Sequence, residues 1–137
     1  MTKVVISSIS REAQQVQQTI VAQAATFQYD EHQVFALRLA LDEALSNAIK
    51  HGNANDPTKK VFVEYTIDVK MIKITICDEG PGFDPKSLPD PTAEENLELP
   101  NGRGVMLINA YMTEVTYNEK GNCVTMIKRK ECRLPQV

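Results

Sequence analysis

The period of the hydrophobic positions changes along this chain, and each change marks an element. Ala13, Val16, Ile20, Ala24 and Phe27 recur every three or four residues, which predicts an amphipathic helix with Ser10 as its N-cap. The glutamines at 14, 15, 17 and 18 mostly fill its wet side. Asp30 opens a second helix, with Gln33 placed three residues on as in a capping box. Leu37, Leu41, Ala44, Leu45 and Ala48 form its apolar stripe, and it runs to about His51, where Gly52 fits the C-terminal cap.

Alternation then replaces the helical period. Val61, Val63, Tyr65 and Ile67 share one face of a strand, Ile72, Ile74 and Ile76 one face of the next, and DVKM between them makes a tight turn. KVVIS (3–7) suits a short strand, VMLINAYM (105–112) a helix, and TEVTYN and CVTMIKR a final hairpin around NEKGN. The segment 53–59, NANDPTK, is loop by composition. Between Gly80 and Gly104 lie five of the seven prolines and no periodicity, so 83–101 is expected to be a lid. The order β-α-α-β-β-lid-α-β-β predicts an α+β fold, a two-layer sandwich with helices on one face of a mainly antiparallel sheet. Residues 1–130 form one domain on this reading, and 131–137 a tail.

Composition narrows the function. At 137 residues the chain holds one core and not two. A net charge of −3, with no basic block longer than KRK at 128–130, argues against nucleic acid or an anionic membrane as a direct partner. MTKVVISSIS has only three consecutive apolar residues, so neither a signal peptide nor a membrane span is expected, and the location read from this is cytoplasmic. Cys77, Cys123 and Cys132 are odd in number and lack metal-type spacing, which suits buried or idle thiols in a reducing compartment.

Three stretches carry candidate chemistry. Glu43 and Asn47 lie on adjacent turns beside the stripe of the second helix. Asn offers a neutral oxygen suited to a magnesium ion that is otherwise held by phosphates and water, and Glu can take a proton from a nucleophile. A solvated helix face would look the same, and His51, two turns beyond Glu43, suits a partner for the helix dipole. In ITICDEGPGF (74–83), Asp78 continues the inward row of Ile72, Ile74 and Ile76. Such a carboxylate needs a donor, for which a purine's exocyclic amine would serve, and Gly80 and Gly82 would let backbone approach a flat ring. A strand ending in an Asp-containing turn is the plainer alternative. In NGRGV (101–105), glycine-rich backbone before a helix suits a phosphate, with Arg103 adding charge, although a lone GxG is a weak signal.

Taken together, E-x-x-x-N in DEALSNAIKHG, D-x-G-x-G in DEGPGF and G-x-G in NGRGV resemble the N, G1 and G2 boxes of the GHKL (histidine-kinase-like) ATPase superfamily. Over roughly residues 4–130 the chain is similar to its small single-domain branch, the bacterial anti-sigma factor serine kinases. The resemblance implies a Bergerat-type ATP-binding fold using ATP and Mg2+. It implies Asn47 on the metal, Asp78 on the adenine amine, Gly80 and Gly82 beside the ring, and Gly102, Arg103 and Gly104 at the phosphates. Glu43 would be the general base; histidine kinases usually carry Asn there, so this Glu points to direct attack by a hydroxyl or water. The implied activity is an ATP-dependent serine-protein kinase that phosphorylates a STAS-type anti-sigma factor antagonist and sequesters a sigma factor. The alternative is a nucleotide-binding module that holds its partner without phosphoryl transfer. Related small kinases tend to dimerise, which leaves room for a homodimer through an edge strand near residues 3–7. Many members carry Gly-Thr at the start of the last strand, with the Thr helping at the adenine end; this chain has Gly121-Asn122, with Thr125 further along, so either the Asn replaces the Thr or that contact is missing.

Overall fold

The computed structural model describes residues 1–81 and 112–130. The chain runs β1 (Thr2–Ser7), α1 (Ser10–Thr26), α2 (Glu31–Asn47), a π-helical turn (Ala48–Gly52), β2 (Lys60–Ile67), β3 (Met71–Asp78), β4 (Glu114–Tyr117) and β5 (Cys123–Arg129). Among the described residues the strands form one antiparallel sheet in the order β1-β2-β3-β5-β4. The inward residues of β2, β3 and β5 (Val61, Val63, Ile72, Ile74, Ile76, Val124 and Met126) join Ile20, Leu37, Leu41 and Leu45 of the helices in a single core. On the other face Val5 and Phe62 stay exposed, so the helices cover one side only, in the two-layer α+β arrangement that the element order predicts.

Local chemistry explains most of the boundaries. Asp30 and Gln33 make the reciprocal capping box, with Gln33 N donating to Asp30 Oδ1 at 2.7 Å and Asp30 N donating to Gln33 Oε1 at 3.1 Å. Asp68 closes the β2–β3 turn by accepting from the amides of Lys70 and Met71. Gly121, at φ 78°, supplies the left-handed residue of the β4–β5 hairpin. Gln17 departs from its wet-side assignment: it is buried, and its Nε2 donates to Asp42 Oδ1 at 2.6 Å, tying α1 to α2.

Two expected caps differ. Ser10 is already the first helical residue. Ile9 takes the N-cap position without a side-chain bond, because Glu12 instead reaches back to accept from Ser7 N. Gly52 does not cap α2. The helix widens into the π turn, and Asn53 ends it with its amide donating to Ala48 O at 2.9 Å. The idle-thiol reading also fails. Cys77 and Cys123 are register partners across β3 and β5 and form a disulfide, a pairing between residues 46 apart that spacing along the chain could not reveal.

The expected lid (83–101), most of the helix at 105–112, Cys132 and the tail (131–137) lie outside the described residues. Among those described, no helix is long and apolar enough to cross a membrane.

Candidate functional site

Asp78 is the last residue of β3, and it points the way its inward neighbours do. Ile72, Ile74 and Ile76 are buried in the core, and Asp78 continues their row to the rim of the sheet, where it is half-buried. Burial pushes its carboxyl above the usual carboxylate range, only partly offset by the Gly80 amide and by the charges of Lys120 and Lys59. Oδ1 accepts from Gly80 N at 2.8 Å, while Oδ2 takes no hydrogen bond from any described residue. A half-buried carboxylate with one free acceptor is a natural receptor for an N–H donor from a ligand.

The end of the α2 segment meets this strand end without clearance. A Cβ on Gly52 would sit 2.2 Å from Asp78 Cγ and from Oδ2, and one on Gly80 would sit 1.9 Å from the carbonyl oxygen of Gly52. Both positions therefore demand glycine for space, and Gly52 does so without a left-handed backbone. The approach falls at the end of the π turn, whose last residue, Gly52, lies against Asp78.

Glu43 and Asn47 sit on successive turns of α2, both half-buried beside the buried Leu41, Ala44, Leu45 and Ala48. Neither side chain hydrogen-bonds to another described residue. Asn47 thus has a neutral oxygen available to a divalent ion, and Glu43 an acceptor available to a proton. Partial burial and the neighbouring charge of Lys50 hold the His51 imidazole below its ordinary range, which weakens its expected role as a charged partner of the helix end at neutral pH.

Of the expected site residues, Glu43, Asn47, Asp78 and Gly80 are described, and Gly52 is where the helix end packs against Asp78 and Gly80. Gly82, Gly102, Arg103 and Gly104 lie outside the described residues. Two asparagines escaped the sequence reading. Asn53, assigned to a polar loop, is fully buried, and its Oδ1 accepts from Glu79 N at 2.8 Å. Asn122, left without a role beside the Gly-Thr pattern, accepts from Asp78 N through its carbonyl at 2.9 Å and donates from Nδ2 to Asp78 O at 3.2 Å. The signal available for Asn53 was its place directly after a helix-terminal glycine; for Asn122 it was the Gly121-Asn122 pair at the position of the Gly-Thr pattern.

Comparison with known proteins shows the family of the chain. Residues 6–128 match the family model described as the histidine kinase-like ATPase domain. Over 99 residues the chain is 35% identical to the anti-sigma F factor of Oceanobacillus iheyensis, covering 68% of this chain and 67% of that one. Over 115 residues it is 27% identical to the serine-protein kinase RsbW of the same organism, covering 80% and 72%. Its fold is similar to the crystal structure of the RsbU and RsbW domains of Rv1364c from Mycobacterium tuberculosis, with a TM-score of 0.58 and 16% identity. That match takes in 100% of this chain and 34% of the other, a likeness of fold alone.

Proposed function

The chain belongs to the histidine kinase-like ATPase domain family, and on that footing we propose that it is an ATP-dependent serine-protein kinase that also acts as an anti-sigma factor. Its relatives named anti-sigma F factor and serine-protein kinase RsbW support both halves of this reading. The observation that carries it is the half-buried Asp78 carboxylate, with a free oxygen, in a glycine-lined seam at the end of the segment that holds Glu43 and Asn47.

In this reading Asp78 accepts a hydrogen bond from the adenine amine, and glycine at 52 and 80 lets the helix end pack directly against the carboxylate that does so. Asn47 would hold Mg2+, whose chemistry is to neutralise charge on the triphosphate. Glu43 accepts the proton of the attacking serine hydroxyl on a partner protein. Gly82 would support the ring, and Gly102, Arg103 and Gly104 the phosphates, on the strength of their sequence pattern. The substrate is an anti-sigma factor antagonist, and the sequestered partner is a sigma factor. Both act in the cytoplasm, and a homodimer through the β1 edge remains part of the reading.

Incubation with γ-labelled ATP and candidate antagonist proteins tests it. Label on an antagonist serine is the expected result. ATP binding by calorimetry without transfer to any antagonist would leave the sequestering module in its place, and no ATP binding would remove both.

A further inference from the structure

The Asp78–Glu79 peptide is gripped at both of its polar ends by asparagine side chains. Its N–H, which belongs to Glu79, donates to Asn53 Oδ1 at 2.8 Å, and its C=O, which belongs to Asp78, accepts from Asn122 Nδ2 at 3.2 Å. The two asparagines come from opposite sides. Asn53 follows the π turn of the helical layer, and Asn122 precedes β5 in the sheet.

Each clamp is itself anchored. Asn53 is 0% exposed and uses all of its amide: Nδ2 donates to Ser8 Oγ and to Lys60 O, both at 2.9 Å, while Oδ1 holds Glu79. A buried carboxamide is costly unless satisfied in this way, so its orientation is fixed by the ends of β1 and β2. Asn122 is steadied by Asn118, whose Nδ2 donates to Asn122 Oδ1 at 2.7 Å, and whose Oδ1 accepts from the amides of Gly121, Asn122 and Cys123. Asn122 also accepts from Asp78 N through its own carbonyl. Glu79 adds a further tie, since its carboxylate accepts from Lys60 N at 2.6 Å.

A peptide unit is planar, so holding its N–H and its C=O fixes the rotation of the whole plane. That plane sets ψ of Asp78 and φ of Glu79. It thereby determines where the Gly80 amide meets Asp78 Oδ1 and where Oδ2 is left to point. Without the clamps this plane could rotate, and the carboxylate would lose a single preferred direction.

We propose that Asn53 and Asn122 are positioning residues that lock the Asp78–Glu79 peptide plane and so give this site its selectivity for a purine bearing an exocyclic amine. The proposal rests on the reading of Asp78 as the acceptor of that amine. Neither asparagine need touch the ligand; both act through Asp78.

The test compares Mg-ATP with Mg-purine riboside triphosphate, the same nucleotide without the 6-amine, by calorimetry on the full chain. Wild type is expected to favour ATP by about tenfold or more, the value of a hydrogen bond to a charged acceptor. In Asn53→Ala and Asn122→Ala that preference should fall about fivefold or more through weaker ATP binding, with the affinity for purine riboside triphosphate kept within about twofold. General destabilisation would weaken both nucleotides alike, so the ratio isolates positioning. If Asn53→Ala does not fold by circular dichroism, Asn122→Ala, at a half-buried hairpin position outside the core, carries the test alone. A preference retained in the folded variants overturns the clamp. Absence of a preference in wild type overturns the amine reading of Asp78 itself.

Discussion

Gly52 lies against the carboxylate of Asp78 so closely that a methyl group on Gly52 would fall 2.2 Å from both Cγ and Oδ2. These residues are 26 positions apart, one at the end of the helical layer and one at the end of β3. Their contact sets the width of the seam where the site forms.

The two seam glycines should respond differently to alanine. At Gly52 the new methyl meets a side chain that can rotate, so Gly52→Ala should cost about 1–3 kcal/mol of stability while displacing Asp78 and weakening ATP binding at least tenfold or so. At Gly80 it meets the carbonyl of Gly52, which cannot move without unwinding the π turn, so Gly80→Ala should be the more destabilising of the two. Urea denaturation of both variants ranks them, and a smaller loss at Gly80 would contradict the packing described.

Asp78 links function to pH. Burial raises its pKa in the folded chain, so the folded state holds the proton more tightly than the unfolded state does. Stability should therefore fall as pH rises from the ordinary carboxylate range through the raised value, leaving the ionised side chain a net cost at neutral pH. Asp78→Asn removes that cost and should raise the melting temperature while sharply weakening ATP. An amine donor favours the ionised form, so ATP affinity in wild type should strengthen as pH rises through the raised carboxyl pKa. A flat affinity profile, or one unchanged in Asp78→Asn, would remove Asp78 from recognition.

Glu43 and Asn47 should separate chemistry from binding. Glu43→Gln keeps the shape and removes the proton acceptor, so transfer to a protein serine should drop by about 10²–10⁴-fold with ATP affinity nearly unchanged. Lost binding with transfer retained would reverse the assignment.

The Cys77–Cys123 bond joins residues 46 apart on adjacent strands, immediately before Asp78 and after Asn122. Closing a loop of that length is worth up to about 4 kcal/mol in the chain-entropy account. Reduction of the wild type should then lower the melting temperature by on the order of 10 °C, whereas Cys77→Ser should melt alike with and without reductant. Equal melting of oxidised and reduced wild type would mean that the strands gain nothing from the bond.

Local rules were enough wherever a neighbour within four residues, or the next residue but one, decides the outcome. The Asp30–Gln33 capping box, the inward row of Ile72, Ile74 and Ile76, and the turn at Asp68 follow from such short-range constraints, and so does the E-x-x-x-N spacing that puts Glu43 and Asn47 on one helix edge. Period alone therefore determined the helical and strand layers, the inward direction of Asp78 and the residue types available for the site.

Only the tertiary structure decided how those layers close. The pairing of Cys77 with Cys123, the burial of Asn53, the reach of Asn122 to Asp78, and the need for glycine at position 52 all depend on segments brought together across 26 to 46 residues. A glycine demanded by steric contact with a distant side chain looks, in sequence, the same as one that caps a helix. An asparagine satisfied in the interior looks the same as one in a solvated loop. Burial and register are properties of the packed chain, and they turned a polar stretch after a helix into the support of a binding residue.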